Sequence, residues 1–203
     1  MPTPFVVVFD LGKVLVDFDY AIAARRIAER SKLSSIEIQK HLDQSPLLVR
    51  YETGEIDRRQ FFDLVCECTG FMGTIEEFGS FFGDIFTPIE PMIALLEELR
   101  QRGVPVYLFS NTNDLAVEDI RTKFPFFRNF DGYILSCEVG AMKPHAKIYE
   151  TLEKLTGKRG PEILYLDDRK ENIDAAAVRG WHVIHHQNPI KSRAEVVRHG
   201  LLK

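Results

Sequence analysis

The amino-acid sequence predicts an α/β fold, in which a doubly wound, mainly parallel sheet carries an inserted all-helical segment. The first reason is a set of short apolar runs without the alternation of a half-exposed strand, as is typical of strands covered on both faces. The second is that helical patterns ending on glycine separate these runs. The third is the stretch 18–88, where helix starts follow one another and no strand pattern is evident.

Four apolar runs are predicted to be strands, and a fifth run is a weaker candidate. The strong runs are 5–10, 104–111, 162–168 and 181–186, and the weaker one is 132–136. Helical patterns lie between them at 91–103, 147–157 and 172–180. Because strands and helices alternate from about residue 89 onward, this part is predicted to build the layers of a wound parallel sheet.

The stretch 18–88 is predicted to be an all-helical insert. Tetrapeptides that begin at Ser34, Asp57 and Thr74 fit the capping box that starts a helix, or its aspartate variant. Apolar stripes at three- and four-residue spacing accompany these starts. The predicted domains are an α/β catalytic core from 1–17 and 89–203, and a helical cap at 18–88.

The composition excludes several classes of protein. The chain has 203 residues and is 45% hydrophobic, which is enough for a sizeable core. The net charge of -4 and the lack of a basic stripe argue against a nucleic-acid partner. The three cysteines show no disulfide spacing, and no apolar run is long enough to span a bilayer. We therefore expect a soluble cytoplasmic protein without a membrane partner; its oligomeric state is left open.

The ends of the predicted strands carry the residues best suited to chemistry. Ligands of open α/β sheets bind beyond the carboxyl ends of the strands, so these residues are expected to share one site. Three carboxylates there would repel one another and need a cation, and oxygen ligands of this kind suit Mg²⁺. The residues are Asp10, Ser110, Asn111, Asp167 and Asp168, with Lys143 in the loop "GAMKPH".

Four motifs together resemble those of the haloacid dehalogenase-like hydrolases. They are "VVFDLGKVL", "LFSNT", "MKP" and "LYLDDRKENIDAA", in that order along nearly the whole chain. The resemblance implies the family's core fold, with the helical insert in the place of its cap. "FDLGKVLVD", "FSNTN" and "MKPHAKIYE" are most similar to the small sugar-phosphate phosphatases that act on glucose 1-phosphate.

The resemblance also implies roles for these residues in hydrolysis of a small phosphorylated metabolite. Asp10 would attack phosphorus and form an aspartyl-phosphate. Ser110 and the backbone N–H of Asn111 would bind a phosphate oxygen, and Lys143 would offset the charge of carboxylates and phosphate. Asn172 has two possible roles. Its side chain orients Lys143 or a water molecule bound to the metal, or it is an ordinary residue at the start of a helix. The Mg²⁺ ligands would be Asp10, the carbonyl of Gly12, Asp168, and Asp167 directly or through water.

Gly12 departs from the pattern of most phosphatases in this family. They carry at this position a second aspartate, which protonates the leaving oxygen and then activates water. We weigh three explanations: a good leaving group, a substitute such as Asp17, Asp19 or a cap residue, or a phosphate-binding module that barely turns over. The first is favoured, and it predicts fast turnover of acyl and anomeric phosphates. The cap segment that we expect to face the cleft contains Arg50, Tyr51 and Glu52.

Other functional classes fit the sequence less well. A dehalogenase would use the same nucleophile, but it needs no metal and does not require the pair Asp167 and Asp168. No G-x-G-x-x-G follows the first strand, which disfavours a dinucleotide-binding protein. A response-regulator receiver carries its acidic pair near the start of the chain, whereas here the pair comes last.

Overall fold

The computed structural model describes residues 5–43 and 45–203 of the chain. The strands are β1 (Val6–Phe9), β2 (Val16–Phe18), β3 (Phe86–Pro88), β4 (Val106–Ser110), β5 (Gly132–Leu135), β6 (Ile163–Asp167) and β7 (His182–His185). The helices are α1 (Tyr20–Ala28), α2 (Ser35–Leu42), α3 (Pro46–Glu52), α4 (Arg58–Thr69), α5 (Ile75–Gly83), α6 (Glu90–Gln101), α7 (Asp114–Lys123), α8 (Ser136–Val139), α9 (Ala146–Thr156), α10 (Lys170–Val178) and α11 (Pro189–Arg198). Two short 3₁₀ turns lie at Pro125–Arg128 and Gly160–Glu162.

Five strands form one sheet in the order β5-β4-β1-β6-β7, and every neighbouring pair in it is parallel. Successive residues of β1 face opposite layers: Val7 and Phe9 pack in one apolar cluster, and Val6 and Val8 pack in another. Burial on both faces explains why the strand sequences do not alternate. The predicted fold class and all five predicted strands are confirmed.

The expectation of no strand within 18–88 is wrong at the end of that stretch. β3 pairs antiparallel with β2 in a two-stranded ribbon, with Val16 opposite Pro88 and Phe18 opposite Phe86. Three residues per strand are too few to produce a recognisable alternation, so pairing between distant parts of the chain decides this ribbon. The ribbon lies where the chain leaves the sheet for the helices and where it returns.

We call α1–α5 the cap. The capping boxes expected at Ser34, Asp57 and Thr74 are all present and start α2, α4 and α5. The cap helices bury a cluster of aromatic rings, in which Phe61 and Phe82 pack edge to face with centroids 5.7 Å apart. None of the helices in the described part of the chain has the length and apolar character to cross a membrane.

Candidate active site

Three carboxylates meet where the central strands end. Oxygen atoms of Asp10, Asp167 and Asp168 all lie within 4.8 Å of one another. They converge because β1 and β6 are neighbours in register, with Phe9 opposite Leu166. The N–H of the residue after Asp10 donates to its Oδ1 at 2.7 Å and orients that carboxylate.

Lys143 bridges two of these carboxylates from the loop before α9. Its Nζ lies 2.9 Å from Asp10 Oδ1 and 2.7 Å from Asp167 Oδ2, and its side chain is only 1% exposed. The ammonium also donates to the carbonyl of Phe109 at 2.9 Å. It lies 5.1 Å and 5.6 Å from the ring centroids of Phe109 and Tyr165, so cation–π attraction adds to the ion pairs.

Asn111 holds the backbone of the Lys143 loop, a role that the sequence did not indicate. The side-chain amide donates to the carbonyl of Lys143 at 3.1 Å and accepts from its N–H at 2.7 Å. Ser110 is buried at the end of β4, and its hydroxyl donates to the carbonyl of Asn111 at 3.3 Å. The phosphate-binding roles expected for Ser110 and Asn111 stay predictions.

Asp167 accepts hydrogen bonds from several neighbours besides the lysine. Tyr165 donates its hydroxyl to Oδ2, and the N–H of Arg169 donates to Oδ1 at 2.8 Å. Asn172 Nδ2 lies 3.1 Å from each of the two oxygens, so this side chain orients Asp167 and not Lys143. The sequence motifs do not single out Tyr165. Its position two residues before Asp167 is a signal for this contact, because residues two apart in a strand lie on the same face.

The charges at this site do not balance. Burial raises the pKa of Asp10 to about 8, with Lys143 opposing this and Asp167 adding to it. Burial acts in the same direction on Asp167, but Lys143 and the hydrogen bonds outweigh it and lower the pKa of that carboxyl. Burial and the neighbouring Asp167 raise the pKa of Asp168. Lys143 contacts the cluster with one ammonium and pairs with two of its three carboxylates, so the fully ionised cluster would carry a net negative charge.

The donor set fits a hard divalent cation. Three carboxylates with oxygen atoms within 4.8 Å of one another provide ligands of the kind that Mg²⁺ prefers, and neither sulfur nor imidazole is among them. Gly12 lines the same cleft, and the binding of Mg²⁺ by its backbone carbonyl stays a prediction. The remaining coordination positions of Mg²⁺ are usually filled by water and substrate phosphate.

Phe18 occupies the space beside Gly12. A Cβ placed on Gly12 would lie 2.8 Å from Phe18 Cε1, closer than such contacts occur. Two nearby acids are already engaged. Asp17 pairs with Lys13, and Asp19 caps α1 by accepting a hydrogen bond at 2.9 Å from a backbone N–H of its first turn. An aromatic ring therefore fills the space where a side chain at position 12 would lie, and each of these two aspartates already has a partner.

The cleft beyond the carboxylates has a volume of about 650 Å³ and lies between the sheet edge and the cap. Of the segment expected to face it, only Glu52 lines the cleft. Tyr51 instead donates its hydroxyl to Asp114, and Arg50 pairs with Glu55 at 2.8 Å. The expectation for Arg50 and Tyr51 is therefore wrong, because both side chains are held by partners outside the cleft.

Glu52 is one of several polar and aromatic residues on the cap side of the cleft. Burial raises the pKa of its carboxyl to about 7, with Arg169 opposing the change. The other residues on this side include Phe18, Tyr20, Gln39 and Asp43.

The parallel sheet, the acidic cluster with its buried lysine and the overlying helices define an α/β protein whose candidate site lies beyond the carboxyl ends of the strands, with an aspartate at the end of the first strand. A family model described as haloacid dehalogenase-like hydrolase matches residues 6–180. The chain belongs to the haloacid dehalogenase-like hydrolase family, which confirms the resemblance at that level. The subgroup acting on glucose 1-phosphate is not confirmed.

Several similar proteins are phosphatases. The D-ribitol-5-phosphate phosphatase of Bacteroides thetaiotaomicron is 26% identical over 200 residues, which cover 94% of this chain and 95% of that protein. Sesquiterpene phosphatase astK of Aspergillus oryzae is 32% identical over 98 residues, and this match spans about half of each chain. A crystal structure of a family enzyme from Bacteroides thetaiotaomicron, in complex with magnesium and inorganic phosphate, has a TM-score of 0.77 at 23% identity, covering 91% of this chain and 94% of that one. It shows that the fold is shared.

Proposed function

We propose that the chain is a Mg²⁺-dependent phosphohydrolase that acts on a small phosphorylated metabolite through an aspartyl-phosphate. The observation that carries the proposal is the cluster of Asp10, Asp167 and Asp168, whose three carboxylates are contacted by a single ammonium, that of Lys143. In a Mg²⁺-dependent phosphatase, the bound cation would offset the negative charge of these carboxylates. The phosphatases among the similar proteins support the same activity.

In this proposal Asp10 is the nucleophile. The N–H of Leu11 holds one of its oxygens, and Lys143 Nζ lies 2.9 Å from the same oxygen, so the carboxylate has a fixed direction. When bound, Mg²⁺ would supply positive charge that favours ionised Asp10 and withdraws charge from the phosphoryl group. Lys143 would stabilise the charge on the phosphoryl oxygens as they approach Asp10. The other two aspartates of the cluster, with the carbonyl of Gly12, would complete the ligands.

We propose a sugar phosphate, such as a hexose 1-phosphate, as the substrate class. Gln39 and Asp43 bring polar side chains into the cleft, where they can accept hydrogen bonds from hydroxyl groups. Phe18 and Tyr20 offer ring surface for the apolar face of a sugar. The polyol phosphate named for a relative that matches nearly the whole chain agrees with this lining. A terpenoid chain would leave these polar groups without partners.

Phosphate release from a panel of substrates tests this proposal. The panel contains hexose 1-phosphates, ribitol 5-phosphate and a sesquiterpenyl phosphate, each assayed with Mg²⁺ and with EDTA, and Asp10→Asn serves as the blank. We expect release from the polyhydroxylated substrates, loss of release in EDTA and in the blank, and little release from the terpenyl phosphate. Mg²⁺-independent release of halide from a 2-haloacid would instead identify a dehalogenase.

A second measurement separates a slow enzyme from a phosphate-binding module. Rapid mixing with an acyl phosphate, followed by acid quenching, should trap phosphate on Asp10 as an acid-stable, hydroxylamine-sensitive species. Phosphate binding without this species would support the module. The domain bounds of 1–17, 89–203 and 18–88 and the cytoplasmic location stay predictions.

A further inference from the structure

We propose that Glu52 of the cap is the general acid and base of the reaction, in the role that an aspartate at the Gly12 position would have. This role rests on the proposed phosphohydrolase function. The sequence favours a good leaving group as the explanation of Gly12. The structure brings a carboxyl group from the cap to the same cleft and so offers a different explanation.

Three other acids near the cleft are committed to structural contacts or ligand positions. Asp17 is paired with a lysine, and Asp19 holds the start of α1. Asp168 belongs to the carboxylate cluster. Within residues 5–43 and 45–203, the Glu52 carboxylate has no hydrogen-bonding partner, and an arginine, Arg169, is the charged group that acts on it. Its side chain is therefore available to a substrate in the cleft.

The backbone around Glu52 is fixed to the core next to the site. Ser136 donates its hydroxyl to the carbonyl of Glu52 at 2.6 Å and accepts from the N–H of Thr112 at 2.9 Å. Tyr51 donates to Asp114 at the start of α7. These bonds join the end of α3 to the start of α8, which follows β5, and to the start of α7, which follows β4, so Glu52 is held near the ends of these strands.

A close approach of two backbone segments strengthens this attachment. Gly54 has φ of +68°, and a Cβ there would lie 2.4 Å from the carbonyl oxygen of Cys137. Only glycine allows this turn after α3 to lie against α8. A group that must meet a leaving oxygen within hydrogen-bond distance needs such a fixed position.

The proposed proton transfers balance over the cycle. In the first step Asp10 attacks phosphorus, the bond from phosphorus to the leaving oxygen breaks, and the Glu52 carboxyl gives its proton to that oxygen. The products are an aspartyl-phosphate, a neutral alcohol and a Glu52 carboxylate. In the second step this carboxylate takes a proton from water as the water oxygen attacks phosphorus. The bond from phosphorus to Asp10 breaks, inorganic phosphate forms, and Glu52 is protonated again.

The surroundings of Glu52 suit a group that changes its protonation state near neutral pH. Burial raises its pKa to about 7, and catalysis by proton transfer is most effective when the pKa lies near the working pH. Arg169 opposes the shift, and a bound phosphate dianion would favour the protonated acid. Apart from the acidic cluster and its lysine, the charged and titratable groups that line the cleft with Glu52 are Lys13, Asp19, Tyr20, Asp43 and Arg169.

A leaving-group series in Mg²⁺ tests the role of Glu52. Wild type, Glu52→Gln, Glu52→Asp and Asp43→Asn are compared on nitrophenyl, phenyl and alkyl phosphates, with Glu55→Gln as the matched surface control. For Glu52→Gln we expect a loss of kcat on the order of 10²–10⁴ with phenyl and alkyl phosphates and less than about tenfold with nitrophenyl phosphate, which needs little protonation. Glu52→Asp should recover part of the loss. Glu55→Gln should match wild type.

The other outcomes separate the role of Glu52 from the proposed function. An equal loss on all substrates, or a leaving-group-dependent loss in Asp43→Asn and none in Glu52→Gln, overturns the role of Glu52. We expect Asp43→Asn to raise KM evenly across the series. If wild type releases no more phosphate than Asp10→Asn from any substrate, the proposed phosphohydrolase function fails, and the role of Glu52 fails with it.

Discussion

Replacing Glu52 by glutamine should stabilise the folded protein at neutral and alkaline pH. The folded state raises the pKa of this carboxyl from 4.5 to about 7 by burial, so the folded protein holds a proton that the unfolded chain releases. The contribution of Glu52 to stability is thus fully present below about pH 4.5 and is lost as the pH rises through about 7. Glutamine has nearly the same shape and no charge, and it avoids this loss.

The size of the effect follows from the change in proton affinity. Each tenfold change in proton affinity is worth about 1.4 kcal/mol, so the shift in pKa from 4.5 to about 7 sets a ceiling of about 3.5 kcal/mol. Glu52 borders a cleft of about 650 Å³ that admits water, which screens the carboxylate. We therefore expect the free energy of unfolding of Glu52→Gln to exceed that of wild type by about 2 kcal/mol near pH 8, and to equal it near pH 4.5.

Urea unfolding of both proteins across this pH range measures the difference directly. Wild type and variant should have the same m-value, since the surface exposed on unfolding does not change. Glu55→Gln is the control, because it removes an exposed carboxylate that pairs with Arg50. Such an exposed ion pair contributes less than about 1 kcal/mol to the free energy of unfolding. A difference between Glu52→Gln and wild type that stays constant with pH, or that favours wild type at high pH, would refute the reasoning.

Three further predictions concern the carboxylate cluster and the glycine beside it. Lys143→Met should destabilise the protein by about 3–5 kcal/mol in urea unfolding, because it leaves buried carboxylates unpaired; Lys147→Met, at an exposed lysine, is the control, and an equal small loss in both would contradict this. Mg²⁺ at about 100 times its Kd should raise the free energy of unfolding by about 2.7 kcal/mol, and Asp168→Asn should reduce this gain at the same Mg²⁺ concentration. Na⁺ at matched ionic strength is the control and should not raise the free energy of unfolding by this amount. Gly12→Ala should cost about 1–3 kcal/mol by contact with Phe18, and less in a Phe18→Ala background; additive losses would rule out that contact.

Most of the catalytic layout is local in the sequence. Apolar strands that end on polar residues are visible in single segments such as "FVVVFD" and "EILYLDD", and parallel pairing brings the ends of neighbouring strands to one edge. The sequence therefore predicts that Asp10, Asp167 and Asp168 lie close together, and the structure brings them together. The capping boxes of the cap were equally readable, because a cap depends on residues three positions apart.

The contacts that set the properties of the site depend on the fold. The bonds of Lys143 to Asp10 and Asp167 join segments that are far apart in the chain, as does the attachment of Glu52 through Ser136. Amino-acid order alone specifies which chemical groups stand at the ends of the strands. The tertiary structure decides which of those groups are buried, which form ion pairs and which cap residue lies beside them in the cleft. Burial and charge act through space over a few ångströms, without regard to separation along the chain.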